Sequence, residues 1–400
     1  MHTLALRLLV VLLGLTFWPM PAPAAQPPDT PAAQRTFAQR LAARCRAEMS
    51  DQRLVGLSVA IAGTRGIMHV DHFGFEDRER RIAASDRTMY RWASVSKPLT
   101  AVVAMQLARD KRLDLEADVR ALVPEFPDKG RTITPRLLLT HQGGIVHYSN
   151  GPVIRTIRTY DSTHPFQDAI LALDTFKDSP LVCEPGEKHS YTTHGYLLLG
   201  AVIQRAGGKP YWDLVRERVC LPLGLETLRP DYQWERIEHR AVGYVKQRDA
   251  DAILSTDTDV SWKLPGGGFI STARDMALFG AGLLDERLLD APTKAAMWTR
   301  QATRDGVKTG YALGWSIGRI GGRVTASHSG SQEKTATQLL IVPPSGSKPG
   351  FAAAVLSNTQ GAELADLVRD IMKMTLDEHA GADAGAAEPD EAPMPPAPAR

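Results

Sequence analysis

Ser94 and Lys97 stand three residues apart at the head of an apolar-periodic run. Three residues make nearly one helical turn, so both side chains leave the same face. A serine hydroxyl is a weak nucleophile until a base stands beside it. A lysine can be that base once burial or a neighbouring cation lowers its ammonium pKa. The first turn of a helix adds backbone N–H groups that favour developing negative charge. One turn of chain can thus carry a nucleophile, a base and part of an oxyanion site. The same residues also fit a helix N-cap followed by a solvated lysine, and spacing alone leaves both readings open.

The spacing recurs at Ser331/Lys334 and Ser345/Lys348. Ser345 lies among Pro343, Pro344, Gly346 and Pro349, which is turn chemistry that cannot hold a helix. Ser331 follows a glycine and precedes the alternating run Thr335 to Val342, which reads as a strand. Only Ser94 opens a helix, with Leu99, Val102, Val103 and Leu107 as its apolar stripe.

The elements that must hold this helix lie on both sides of it. A first helix is expected over Thr36 to Met49. Strands follow over Leu54 to Ala62 and Ile67 to Phe75, joined by a turn at Gly63 to Gly66. Thr134 and Pro135 cap a short helix over Arg136 to His141, ended at Gln142-Gly143-Gly144. Residues 145–190 are loop-rich, with helical patches near Pro165 to Leu173. Helices are expected over Tyr196 to Ala206, ended by Gly207-Gly208, and over Tyr211 to Val219. Gly266-Gly267-Gly268 is a close-approach turn before the Thr272-x-x-Asp275 opening of a helix over Met276 to Leu284. Strands are then expected over Tyr311 to Ile317, Arg323 to Ser327, Thr335 to Val342 and Phe351 to Ser357, closed by a helix over Ala362 to Leu376. Strands at both ends and helices between them predict an α+β fold. An antiparallel β-sheet built from the two termini is flanked by helices (about 36–100 and 240–379) and carries an inserted, mostly helical region (about 101–239).

Bulk properties narrow the function. The 400 residues carry 47 Lys and Arg against 45 Asp and Glu, a formal charge of +2, which argues against nucleic-acid partners. Residues 1–25 read as a signal peptide: an apolar run from Leu8 to Trp18, then small residues at Pro21 to Ala25. This predicts export to the periplasm with no stable membrane insertion after cleavage. Residues 26–35 read as a flexible lead-in, and the Ala/Pro/acidic tail over 380–400 as disordered. Cys45, Cys183 and Cys220 allow at most one internal disulfide, and whether Cys183 pairs with Cys220 is open. No Cys or His spacing fits a metal site, so His141, His189 and His194 read as structural, with no metal or cofactor.

Several short segments, in order, resemble one family. They are Trp92-Ala93-Ser94-Val95-Ser96-Lys97, Leu138-Leu139-Thr140-His141-Gln142-Gly143-Gly144-Ile145 and Pro185-Gly186-Glu187. Tyr191-Thr192-Thr193-His194-Gly195-Tyr196, Gly267-Gly268-Phe269-Ile270-Ser271-Thr272 and His328-Ser329-Gly330 complete the set. The span from about Thr36 to His379 is similar to the serine β-lactamase and penicillin-binding-protein superfamily, class C branch. It most resembles the mitochondrial serine β-lactamase-like proteins and their bacterial relatives, to which Val123-Pro124-Glu125-Phe126-Pro127 also corresponds. The resemblance implies a β-lactamase/transpeptidase-like fold and three motifs: Ser-x-x-Lys, Tyr-x-Asn or a variant, and Lys/His-x-Gly. Literal matches to the last two exist at Tyr148-Ser149-Asn150 and Lys308-Thr309-Gly310. Context favours Tyr191, which precedes a helix, and His328, which precedes a strand.

The resemblance implies a role for each residue. Ser94 attacks a carbonyl carbon to give an acyl-enzyme, and Lys97 takes or relays its proton. Tyr191, made more acidic by Lys97, shuttles a proton to the leaving group. His328 stands where many relatives carry Lys, hydrogen-bonds near Tyr191 and the substrate, and makes binding pH-sensitive. The backbone N–H groups of Ser94 and Ser331, after Gly330, form the oxyanion hole. Thr193 stands where many relatives have Asn, and a hydroxyl cannot reproduce the two-sided contact of an amide. That departure weakens a β-lactamase reading, and Ser331-Gln332-Glu333-Lys334 places charge where relatives have small residues. The expected function is a serine hydrolase acting on a small peptide or amide. An esterase or β-lactamase on the same machinery, or a catalytically silent ligand- or cell-wall-binding module, are the alternatives. Oligomeric state is not legible.

Overall fold

A computed structural model describes residues 36–380. The expected signal peptide, the lead-in and the tail beyond Ala380 lie outside the described residues. Strands β1 (Gly56–Gly63), β2 (Gly66–Asp77) and β3 (Ile82–Ala83) come from the N-terminal part. Strands β4 (Ser316–Ile320), β5 (Arg323–Gln332), β6 (Thr335–Val342) and β7 (Phe351–Ser357) come from the C-terminal part. Together they form one seven-stranded sheet in the order β3-β2-β1-β7-β6-β5-β4. Every neighbouring pair is antiparallel. The two ends of the chain meet at β1 and β7, where Leu57 lies opposite Ser357 and Gly63 opposite Phe351.

The period-2 alternation of β1 sorts two packing layers. Leu57, Val59 and Ile61 join Leu340, Val342, Ala353 and Val355 under helices α1 (Phe37–Gln52) and α5 (Ala365–Glu378). Ala60, Ala62, Ala352 and Ala354 face the other way, with the remaining helices. These are small residues, and they let helix α4 (Ala273–Ala281) lie close: a Cβ added at Gly280 would stand 2.7 Å from the Ala352 Cβ. The same large core takes in α2 (Ser96–Arg109) and α3 (Thr193–Gly207). Thr192 caps α3 by accepting from the Gly195 N–H, and Gly208 ends it at φ 65°.

Four expectations differ, the first being that the strand expected over Arg323 to Ser327 continues to Gln332 and takes in His328-Ser329-Gly330. The strand expected over Tyr311 to Ile317 begins only at Ser316. Gly314, at φ 87°, bends the chain there, and the Ala312 N–H donates to the Trp315 carbonyl at 2.7 Å. The helix expected over Tyr211 to Val219 is α-helical only to Val215 and widens to a π turn over Arg216–Cys220. Pro222 would clash with the Arg218 carbonyl in a regular helix, and Gln106 satisfies that carbonyl instead at 3.1 Å. Ser94 does not cap the helix: it lies in a short 3-10 turn, Ala93–Val95, ahead of α2, with no side-chain cap. The three cysteines are unpaired.

Candidate active site

The segment before Ser94 is strapped from two sides. Trp92 donates its backbone N–H to the Phe269 carbonyl at 2.8 Å and its indole N–H to Ser271 Oγ at 2.6 Å. From β6, the Thr335 and Thr337 hydroxyls donate to the carbonyls of Arg91 and Trp92 at 3.1 and 2.9 Å. Arg91 is anchored in turn by a buried ion pair with Asp231 at 2.6 Å. Ala93 is then forced to φ 48°, an unfavourable left-handed conformation for a residue with a Cβ. Strain at that position turns Ser94 out of the strand direction and into the cleft.

Strand β5 runs against this turn. A Cβ on Gly330 would lie 2.4 Å from the Trp92 carbonyl oxygen and 3.0 Å from the Ala93 Cβ, so only glycine fits. The β5 register decides which backbone groups face Ser94. Two-residue turns close Gln332 on Thr335 and Ile320 on Arg323, and a pair closing such a turn is hydrogen-bonded. Alternation from both turns leaves the Ser329 and Ser331 N–H and C=O groups pointing to the edge where β4, which pairs only as far as Ser327, has ended. The Ser331 N–H thus points from the sheet edge beside Ser94. The Ser94 N–H, in the first turn of a helix, has no intrahelical acceptor. The two N–H groups expected to form the oxyanion hole thus lie on adjoining segments, since Gly330 of β5 packs against Trp92 and Ala93.

Lys97 is fully buried. Its Nζ lies 2.8 Å from the Gly266 carbonyl, 3.1 Å from Ser94 Oγ and 3.2 Å from Thr193 Oγ1. Burial first, then the field of Lys263, lowers its pKa well below the usual ammonium value. A neutral amine has two N–H groups and one lone pair. The Gly266 carbonyl can only accept, so it takes one N–H. One N–H and the lone pair remain for the two hydroxyls, so the Ser94 O–H can donate to nitrogen. Gly266 is a glycine because a Cβ there would sit 2.7 Å from Thr193 Cγ2.

Tyr191 packs over Lys97, its ring centre 4.8 Å from Nζ. Its hydroxyl is buried and forms no standard hydrogen bond among the described residues. Burial pushes the phenol upward, and the Ser94 hydroxyl opposes this only in part. The expectation of a more acidic Tyr191 is therefore corrected: its neighbour Lys97 is itself drawn towards neutrality, and desolvation of the phenolate dominates.

His328 is also corrected. Its ring lies 6.4 Å from that of Tyr191, and its partner is Tyr311. Nδ1 is 2.6 Å from the Ser329 carbonyl and must carry the proton, so Nε2 accepts from the Tyr311 hydroxyl at 2.9 Å. Burial, then Lys97, pushes its pKa down to about 3, so the ring is neutral throughout the neutral range and is no pH switch there.

The start of α3 is pinned by two histidines. Thr192 N–H donates to His141 Nδ1 at 3.1 Å, and Thr193 N–H to His147 Nδ1 at 3.2 Å. Burial holds the His141 pKa far down and that of His147 at about 3. Both rings are neutral acceptors, the structural use expected for His141. Among the described residues no group of three or more His, Cys, Asp or Glu could hold a metal.

Sequence reasoning missed three residues of the cleft, His147, Lys263 and Tyr311, and set a fourth, Tyr148, aside in favour of Tyr191. The two literal motif matches are partial signals. Lys308 is exposed, but Tyr311, just after Lys308-Thr309-Gly310, holds His328. Tyr148 packs against His147 and His194, with ring centres 4.2 and 5.1 Å apart, and interacts with the Thr193 hydroxyl. Of the other Ser-x-x-Lys spacings, Ser345/Lys348 closes a turn and Lys334 pairs with Asp257, away from Ser331.

A Beta-lactamase family profile matches residues 34–373. The mitochondrial serine beta-lactamase-like protein LACTB of Mus musculus is 27% identical over 279 residues, 53% of this chain and 50% of that protein. The chain thus spans about half the length of the curated relatives it matches. The octameric penicillin-binding protein homologue of Pyrococcus abyssi superposes with a TM-score of 0.69 at 22% identity, covering 85% of this chain and 77% of that one. The D-amino acid amidase of Ochrobactrum anthropi SV3 gives 0.67 at 21% identity, covering 85% of this chain and 100% of the other. With the sheet, its flanking helices and this match over most of its length, the chain belongs to the beta-lactamase family, in the superfamily of serine β-lactamases and penicillin-binding proteins.

Proposed function

We propose that the protein is a serine hydrolase that forms an acyl-enzyme at Ser94 and acts on amide or peptide bonds. The observation that carries this reading is Lys97: buried, without an ion pair among the described residues, and 3.1 Å from Ser94 Oγ. The Ser94 hydroxyl adds to the substrate carbonyl as its proton passes to Lys97. The oxyanion accepts the N–H groups of Ser94 and Ser331. Collapse of the intermediate then needs a proton on the leaving group. An amine leaves only as the protonated species, whereas an alkoxide or phenoxide needs less help. Tyr191, held protonated by burial beside Ser94, is suited to that demand. Water, deprotonated by the same groups, releases the acyl chain.

The amide bond is also what the D-amino acid amidase of like fold is named for. Ester hydrolysis is the second reading, because the same Ser94, Lys97 and N–H pair suffices for a better leaving group. The test is to treat the protein with a fluorophosphonate and map the adduct. Labelling of Ser94, absent in Ser94→Ala, is expected; undiminished labelling in that variant overturns the reading. Turnover of a D-Ala-D-Ala peptide, an internal peptide, a short-chain ester and a chromogenic cephalosporin then ranks the substrate classes. Fast cephalosporin turnover would place β-lactams ahead of amides and esters.

A further inference from the structure

A cavity of about 460 Å³ shares no residue with the cleft around Ser94, and its size suits a small organic ligand. One wall residue, Pro230, pairs with Phe269, whose carbonyl takes the Trp92 N–H. Another wall comes from the helical turn Tyr211–Val215 and the π turn Arg216–Cys220 that follows it. Widened turns of this kind recur at functional sites, and the chemistry of Ser94 makes no use of this one.

Asp213 and Arg216 both line the cavity and stand three residues apart where the π turn begins. On a regular helix this spacing sets two side chains side by side, and opposite charges pair. Here neither side chain makes a hydrogen bond or ion pair among the described residues. Their charges act on different parts of the cavity. Burial first, then Glu235 and Asp213, pushes the Tyr232 phenol up to about 12, against the field of Arg229. Burial, then Asp275, pushes the Cys220 thiol up to about 12, and Arg216 opposes this. The other charged groups nearby are already engaged. Arg229 pairs with Glu235, and the Asp275 carboxylate accepts from the N–H and O–H of Thr227 and the N–H of Leu228. The cavity thus offers a free anion towards Tyr232 and a free cation towards Cys220, with the exposed carboxylate of Glu226 beside them.

A ligand with only a negative charge would meet Asp213 and Glu226, and one with only a positive charge would meet Arg216. A ligand carrying both charges close together satisfies both side chains. The ammonium and carboxylate of an α-amino acid stand on one carbon, and Trp212, Leu225, Pro230 and Tyr232 offer apolar surface for the rest of the molecule. We propose that this cavity binds a free α-amino acid with an apolar side chain, its ammonium on Asp213, its carboxylate on Arg216 and its side chain against Trp212 and Tyr232. The proposal does not rest on the reading of Ser94. A free amino acid is also the product class of peptide hydrolysis, which relates the cavity to the proposed reaction without sharing its residues.

The test is calorimetry on the full protein at neutral pH. The ligands are each enantiomer of leucine, 4-methylpentanoate, which lacks the ammonium, 3-methylbutylamine, which lacks the carboxylate, and glycine, which lacks the side chain. The tighter leucine enantiomer is expected to bind at least about ten-fold more tightly than each of the other three, the worth of one charge-assisted contact or one buried aliphatic side chain. Asp213→Asn should weaken leucine by about ten-fold and leave 4-methylpentanoate unweakened. Arg216→Gln should weaken leucine as much and leave 3-methylbutylamine unweakened. Thermal unfolding checks that both variants fold. No binding of leucine, or binding no tighter than that of its two halves, overturns the proposal. Binding unchanged in both folded variants also overturns it, and loss of that binding on fluorophosphonate labelling of Ser94 then places leucine in the cleft. Failure of the amino acid site leaves the labelling of Ser94, and the reading built on it, as they stand.

Discussion

Two lysines face two tyrosines in one cleft, and their surroundings differ. Lys97, under Tyr191, is fully buried and has three oxygen partners, one of them the Ser94 hydroxyl. Lys263, beside Tyr148, is partly buried and holds only ring faces. Residue type is the same in both places. Depth and hydrogen-bond saturation separate a lysine that can exchange protons with a nucleophile from one that can only present a charge. The first sits on α2, braced by the sheet; the second sits on the irregular segment that leads to Gly266-Gly267-Gly268.

The comparison breaks most sharply at the deep pair. Lys97→Met is expected to lower the rate of fluorophosphonate or substrate acylation by about 10³-fold or more, since it removes the base and leaves the nucleophile unactivated. Stopped-flow labelling reads this directly, and a loss below about ten-fold would place the base elsewhere. Tyr191→Phe should slow amide turnover by roughly 10²-fold, with a smaller loss on activated esters, because it deletes the proton for the leaving amine. Tyr148→Phe should change both by only a few-fold, about the worth of one hydroxyl contact to Thr193. Equal losses in the two phenylalanine variants would erase the distinction drawn between the pairs.

A finer test lies in the pH profile. Lys97 works only when deprotonated, so acylation falls on the acid side of its pKa. Lys263 holds that pKa down, so Lys263→Met should move the acid limb of kcat/KM to higher pH, by about one unit at most. A limb that stays in place would show the two lysines to be uncoupled. Stability gives the smallest signal. His147, His194 and His328 are buried neutral, with pKa values of about 3, 4 and 3 in the folded protein, below the ordinary histidine value. Lowering the pH from about 6.5 towards 4 protonates these histidines first in the unfolded chain. Each then costs up to about 1.4 kcal/mol of stability per pH unit, with no effect above the ordinary histidine range. Thermal unfolding between pH 7 and 5 should show a progressive fall in Tm, smaller in His194→Gln.

The deep pair was legible in the sequence because the spacing of Ser94 and Lys97 is local and its helix is periodic. The sheet was legible for the same reason: alternation in β1 and β6 and the continuous apolar run of β7 mark buried strands. Lys263 and Tyr311 were not legible. Each reaches the site from a segment without periodicity, brought in by bends such as that at Gly314. The acidity of Tyr191 and the pH-sensitivity of His328 were misjudged, because charge proximity can be guessed from motifs whereas desolvation depends on completed packing. Tyr148 shows that a motif match in the wrong context can still mark a residue of the cleft.

The meeting of β1 with β7 also bears on how the molecule is made. Leu57 finds Ser357, and the straps on Arg91 and Trp92 come from threonines 244 and 245 residues further along. Contacts of such long sequence separation form slowly, after large loops have closed. During synthesis the strained turn at Ala93 lacks the second of its two straps until β6 has emerged, after the Asp231, Phe269 and Ser271 partners. The nucleophile is thus assembled late, and a nascent chain carrying Ser94 and Lys97 lacks its complete surroundings until β5 and β6 have been made.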